Sequence, residues 1–128
     1  PESDTHHLLL IGRYSGLVPL RCMVRALAEQ DTLPSTTLIA HAPTTSEQLY
    51  HDEFTALAAR HSHFQYLPFV SEAPEGHAGT VEAIKQLAGN GRRVTPMIAG
   101  IKAFARPLRS LFMDLGFDRR EVKLETYD

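Results

Sequence analysis

The sequence predicts an α/β fold: a three-layer sandwich in which a five-stranded parallel sheet carries helices on both faces. Three observations point there. Apolar, β-rich runs alternate with helical-period segments along the 128 residues, the pattern of successive βαβ units. The connections are short, so right-handed crossovers are expected. The chain also opens with a strand, a small-residue loop and a helix start across His7-Leu-Leu-Leu-Ile-Gly-Arg-Tyr-Ser-Gly-Leu-Val-Pro19. That order offers backbone N–H groups and the positive end of a helix dipole to a phosphate.

Each element has its own signal. Leu8 to Ile11 reads as a buried strand ending on Gly12, and Leu17, Leu20, Val24 and Leu27 recur at helical spacing, with Pro19 at the helix start. Thr36 to Ala40 is a second β-rich run. Tyr50, Phe54 and Leu57 mark a second helix, opened by Thr44-Thr45-Ser46 with Gln48 placed for a capping box. Phe64 to Val70 is a third strand, and Pro68 near its end argues for a sheet edge. Ser71 to Gly79 is a loop by its Pro and Gly content. Val81, Ile84, Leu87 and Ala88 form a third helix closed by Gly89-Asn90-Gly91. Val94 to Ala99 is a fourth strand. Phe104, Leu108, Leu111, Phe112 and Leu115 form a fourth helix stopped by Gly116, with Pro107 in about its first turn. Val122 to Tyr127 alternates and closes the sheet.

Composition bounds the function. An apolar fraction of 43% and a net charge of −2 describe an ordinary globular domain without the basic balance that favours nucleic acid. No apolar run is long enough to span a bilayer. The polar start Pro1–Thr5 lacks a leader pattern, and the absence of an initiating Met suggests a processed product or a piece of something longer. A single cysteine, Cys22, allows no internal disulfide and fits a reducing, cytoplasmic setting; it reads as a small core residue of the first helix. Seven histidines include the pairs His6-His7 and His61-Ser-His63, but no metal-ligand spacing accompanies them, so no metal site is expected. Arg92-Arg93, Arg119-Arg120, Arg106 and Arg109 read best as solvated. His41 reads equally as structural or as reaching a ligand.

In doubly wound sheets ligands bind outside the carboxyl ends of the strands, at the switch point of the strand order. The first and fourth strands end in glycine-containing loops, Gly12 and Ala99-Gly100. As neighbours they line one crevice. The first loop, Gly-x-x-Ser-Gly-x-x-Pro, is not the Gly-x-Gly-x-x-Gly dinucleotide fingerprint, and the acidic residues of a receiver module are missing.

Five segments make up a pattern: Gly12-Arg-Tyr-Ser-Gly-Leu-Val-Pro19, Gln48-Leu-Tyr-His-Asp-Glu-Phe54, Val70-Ser-Glu72 with Glu75-Gly-His-Ala-Gly79, Ile98-Ala-Gly-Ile101 with Leu115-Gly116, and Glu125-Thr-Tyr127. In this register the whole chain resembles the C-terminal NAD(P)-binding domain of ferredoxin–NADP reductase-type flavoproteins. The resemblance implies one NAD(P)-binding-type domain over residues 1–128, with the flavin-binding barrel absent from this chain. It implies NADH or NADPH as ligand, and FAD or FMN only through another domain or subunit, with an electron-transfer protein as a further partner. Gly12, Ser15, Gly16 and Pro19 are expected to cradle the pyrophosphate. Ala99 and Gly100 border the nicotinamide, Ser71 and Glu72 face the adenosine ribose, and Tyr14 or Tyr127 shields the flavin or nicotinamide. The protein's work is then orientation, with no catalytic side chain of its own.

The departures from that pattern are specific. Ala99 stands where the family has Cys, Ile101 where it has Pro, Tyr14 where it has a loop Gly, and Pro43 where an Arg is frequent. Glu72 replaces an Arg that pairs with the 2′-phosphate in NADP-using members. A carboxylate there repels phosphate and accepts hydrogen bonds from a ribose diol, so NADH is the expected choice. The competing expectation is a non-catalytic interaction or regulatory descendant whose nucleotide site has decayed.

Overall fold

The computed structural model describes residues 7–72, 78–89 and 93–128. Strands and helices alternate as β1 (His7–Arg13), α1 (Leu17–Glu29), β2 (Thr36–Ala42), α2 (His51–Arg60), β3 (Phe64–Val70), α3 (Ala78–Ala88), β4 (Val94–Ala99), α4 (Lys102–Asp114) and β5 (Lys123–Glu125). The five strands are all parallel, in the order β3-β2-β1-β4-β5. The chain builds outward from β1 to β3, then returns to the other side of β1. The order therefore reverses between β1 and β4, the switch point that the paired glycine loops imply.

Alternation along each strand sorts side chains into two cores. Leu9, Ile11, Ile39 and Ile98 face α3 and α4, packing with Ile84, Phe104, Leu108 and Phe112. Leu10, Leu38, Ala40 and Ala99 face α1 and α2, packing with Leu17, Leu20, Val24, Phe54 and Leu57. Each fully buried Leu, Ile or Phe contributes roughly 1.5–3 kcal/mol relative to an exposed one. Two helices on each face give the expected three layers. Pro68 does lie in the edge strand β3. Pro96, in β4, precedes the β4–β5 ladder, which begins at Met97.

Gly116 ends α4 through its positive φ of 101°. Its N–H bonds the Met113 carbonyl and the Phe117 N–H bonds the Phe112 carbonyl, both at 3.0 Å. The Phe112 and Phe117 rings meet edge-on with centroids 5.3 Å apart. This is a Schellman close with its accompanying apolar contact.

Several local expectations are corrected. Thr44 does not cap α2: its hydroxyl bonds Glu47 Oε1 at 2.8 Å and Ser46 Oγ at 3.1 Å within a separate 3₁₀ turn, Thr45–Glu47. The helix starts later, at His51, after Tyr50 in a left-handed conformation (φ 61°). Cys22 is exposed rather than core, because the buried stripe of α1 runs through Leu17, Leu20 and Val24 and leaves Cys22 off the sheet-facing side. Pro107 lies inside α4, beyond its first turn; its missing N–H leaves the Ala103 carbonyl without its intrahelical bond. The loop after β3 ends earlier than Gly79, since α3 begins at Ala78. The last strand is limited to Lys123–Glu125, and Tyr127 lies beyond it. Expectations at His6, Glu75, Gly76, His77, Asn90, Gly91 and Arg92 lie outside the described residues.

Candidate functional site

Gly12 and Ala99 are register partners at the carboxyl ends of β1 and β4. The chain leaves β1 through a 3₁₀ turn, Tyr14–Gly16, that runs directly into α1. Gly16 makes this possible: a Cβ there would overlap the Ala99 carbonyl carbon and oxygen. The α1 N-terminus thus comes as close to the end of β4 as the backbone permits, the close approach for which glycine is suited. No side chain caps α1 and its first turn carries no acidic residue; the Leu17 N–H is taken by carbonyls of the preceding turn, Tyr14 and Ser15, so the joined turn and helix bring their positive dipole end to the crevice. Pro19 is the third helical residue, where a missing N–H is harmless. Gly12 is buried against Leu17 and Leu20, and Ala99 is fully buried in the same core. Both contribute backbone, not side chains, to the crevice.

Tyr14 adopts φ 50°, a left-handed conformation that a glycine takes without penalty and an L-residue takes at roughly 1–2 kcal/mol. The side chain is 41% exposed. It lines a concavity of about 140 Å³ together with Arg13, Ser15, Pro43, Ile101 and Tyr127. Three of the departures from the family pattern, Tyr14, Pro43 and Ile101, therefore converge on one small pocket. Across it, the Ser15 and Tyr127 hydroxyls lie 2.6 Å apart. The Gly100 N–H donates to the Glu125 carbonyl at 3.0 Å, and the Lys102 N–H at the start of α4 donates to Asp128 Oδ1 at 2.9 Å. The segment after β5 thus lies beside both loops.

Ser71 and Glu72 sit two strands out from β1, just after the end of β3, with the Ser71 N–H donating to the Ala42 carbonyl at 2.9 Å. They are joined to the crevice by Arg13, a residue that sequence reasoning passed over. Its Nη1 donates to His41 Nδ1 at 2.5 Å and to the Ser71 carbonyl at 3.0 Å; its Nη2 donates to the Glu72 carbonyl at 3.3 Å. The one available signal was an arginine where the loop otherwise calls for small residues. His41 is fully buried and stacked on Phe104, with centroids 5.4 Å apart, so its place is structural.

Larger concavities lie away from the switch point. One of about 380 Å³ runs between α1 and α2, beside the Arg21–Glu53 ion pair at 2.9 Å. Another, of about 490 Å³, lies at the opposite, amino-terminal end of strands β1 to β3, around His7, Thr37, His63 and Tyr66. Neither has a strand–loop–helix mouth. Among the described residues no group of three or more His, Cys, Asp or Glu side chains is placed to hold a metal. No helix among them is long and apolar enough to cross a membrane.

Comparisons agree with this fold. The family described as oxidoreductase NAD-binding domain matches residues 10–109. Among solved structures, the chain is similar to a flavohemoglobin from Malassezia yamatoensis with bound FAD and heme (TM-score 0.77, 17% identity, 98% of this chain and 32% of that one). It is similar to the Amycolatopsis cytochrome P450 reductase GcoB (TM-score 0.75, 22% identity, 96% and 38%). A third is the ferredoxin-NADP+ reductase of Plasmodium falciparum (TM-score 0.72, 12% identity, 98% and 54%). The chain spans about a third to a half of these proteins' lengths. No curated protein matches the sequence.

Proposed function

Since the chain belongs to the oxidoreductase NAD-binding domain family, we propose that it binds NADH in preference to NADPH and presents the nicotinamide to FAD or FMN held by another domain or subunit. The carrying observation is the packing of Gly16 on the Ala99 carbonyl, which sets an uncapped helix N-terminus beside the β4 loop at the switch point. Those residues fit a dinucleotide. The α1 N-terminus and Ser15 offer donors to the pyrophosphate, Gly100 and Ile101 border the nicotinamide, and Ser71 and Glu72 face the adenosine ribose. When bound, the nucleotide supplies a hydride for the flavin; the chain itself binds, orients and excludes water. The similarity to a flavohemoglobin with bound FAD and heme and to reductases supports a flavin-carrying partner.

Titration calorimetry with NADH, NADPH and ADP tests this. NADH is expected to bind with a Kd below about 1 mM, and NADPH more weakly. Tighter NADPH binding overturns the NADH preference, and silence with all three ligands overturns the reading. Silence supports the second one, an interaction module with a decayed nucleotide site, which the convergence of Tyr14, Pro43 and Ile101 on a pocket of about 140 Å³ favours. Dinucleotide and drug-sized pockets are usually larger, roughly 300–1,000 Å³.

A further inference from the structure

Arg13 is the last residue of β1, yet its guanidinium reaches past β2 to the chain leaving β3. A guanidinium only donates, so His41 Nδ1 is the acceptor in their contact and carries no proton. The fork is therefore anchored on one side by a fully buried ring stacked on Phe104. On the other side it holds two consecutive carbonyls, those of Ser71 and Glu72. Together with the Ser71 N–H bond to Ala42, this sets the backbone of Ser71 and Glu72 against the sheet before any ligand arrives. Glu72 itself remains exposed. A planar fork bridges two acceptors in a way that the point charge of a lysine does not.

Resting on the function proposed above, we infer that Arg13 is the positioning residue for nucleotide selection. It holds the Ser71–Glu72 backbone so that the Glu72 carboxylate meets the adenosine ribose, accepting from a diol and repelling a 2′-phosphate. The repulsion between a carboxylate and a phosphate falls with distance, so a loop released from Arg13 loses its discrimination. The opposite role, Arg13 as a direct phosphate ligand, makes the opposite prediction: its removal harms the 2′-phosphorylated ligand most.

Calorimetry with 5′-AMP, 2′,5′-ADP and nicotinamide mononucleotide separates these roles. The probes are titrated into the protein and its Arg13→Ala, Arg13→Lys, Glu72→Ala and Arg13→Ala/Glu72→Ala variants. The unmodified protein is expected to prefer 5′-AMP over 2′,5′-ADP by about tenfold, a difference of about 1.4 kcal/mol. Both Arg13 variants should bring that preference to about twofold or less. The double variant should match Glu72→Ala in its preference, a non-additive cycle. An undiminished or increased preference in the Arg13 variants, or an additive cycle, overturns the inference. If circular dichroism shows Arg13→Ala unfolded, Arg13→Lys and Glu72→Ala decide. Ligand binding without any preference in the unmodified protein overturns this inference and the NADH preference but leaves nucleotide binding standing; no binding of any probe overturns the proposed function as a whole.

Discussion

The hydroxyls of Ser15 and Tyr127, 112 positions apart in the chain, share a hydrogen bond of 2.6 Å. Ser15 belongs to the loop that opens α1, and Tyr127 follows the last strand. A ligand phosphate that takes the Ser15 hydroxyl has to break or rearrange this bond.

Tyr127→Phe removes the competitor and keeps the ring. It is expected to tighten NADH binding by up to about fivefold, the value of one net hydrogen bond of about 1 kcal/mol. Ser15→Ala is expected to weaken it by a similar factor. NADH fluorescence titration measures both, and an unchanged Kd in Tyr127→Phe shows that the two bonds do not compete.

Gly16→Ala places a Cβ onto the Ala99 backbone. The α1 N-terminus has to move away from β4, at roughly 1–3 kcal/mol of stability, and NADH affinity should fall with it. Gly116→Ala, forced into φ 101°, is expected to lose about 1–3 kcal/mol as well but to leave affinity intact. Urea unfolding paired with titration distinguishes them. Equal affinities in the two variants contradict a role for the Gly16 approach in binding.

Tyr14→Gly relieves a left-handed backbone at φ 50° and widens the pocket at once. Stability should change by less than about 1 kcal/mol, since the relieved strain offsets the added chain entropy. Affinity for NADH should rise. A fall in affinity instead assigns the Tyr14 ring to ligand stacking.

Phe104 is fully buried, stacks on His41 and lies where a Cβ on Gly100 would meet its Cδ2 at 2.9 Å. Phe104→Ala is expected to lower stability by about 3–5 kcal/mol and to loosen the Gly100 loop and the His41 anchor together. Thermal unfolding checks the first effect, and hydrogen exchange at Gly100 and His41 the second.

Burial, with a smaller push from Asp52, raises the Tyr66 phenol to about 12 from an ordinary 10.0. The unfolded chain then loses this proton at lower pH than the folded one. The folded state is favoured fully below pH 10.0 and loses that advantage as pH rises to about 12. Tyr66→Phe should flatten the fall in urea midpoint over this window and remove the last-titrating phenol from an absorbance titration. An unaltered pH profile refutes the assignment. Tyr66 also shares a 2.8 Å bond with His51 Nδ1, which the same variant removes at all pH values.

The sheet and its helices were legible in the sequence because their signals are periodic. Leu17, Leu20 and Val24 repeat at the helical period, and the unbroken apolar run Leu8 to Ile11 is that of a buried parallel strand. Boundaries were less legible where a local bond competes with the helix. The Thr44–Glu47 contact makes its own turn and postpones α2 to His51. Cys22 was misplaced because composition says nothing about which side of a helix meets the sheet. At the site, Gly12, Gly16 and Gly100 stood out by type. Arg13 did not, because its partners Ser71 and Glu72 are 58 and 59 positions away and offer only backbone carbonyls, which no side-chain pattern encodes.

The sequence by itself determined the α/β class, the two glycine loops and the family to which they belong, since these rest on local periodicity and on residue types that close backbone approach demands. Only the tertiary structure decided that Gly16 abuts Ala99, that Tyr14, Pro43 and Ile101 narrow one pocket, and that Arg13 ties β1 to the chain beyond β3. The reason is physical. Those relationships join residues that parallel pairing and right-handed crossovers bring together from distant parts of the chain, and their energies come from shape and hydrogen-bond geometry that exist only after the sheet has formed.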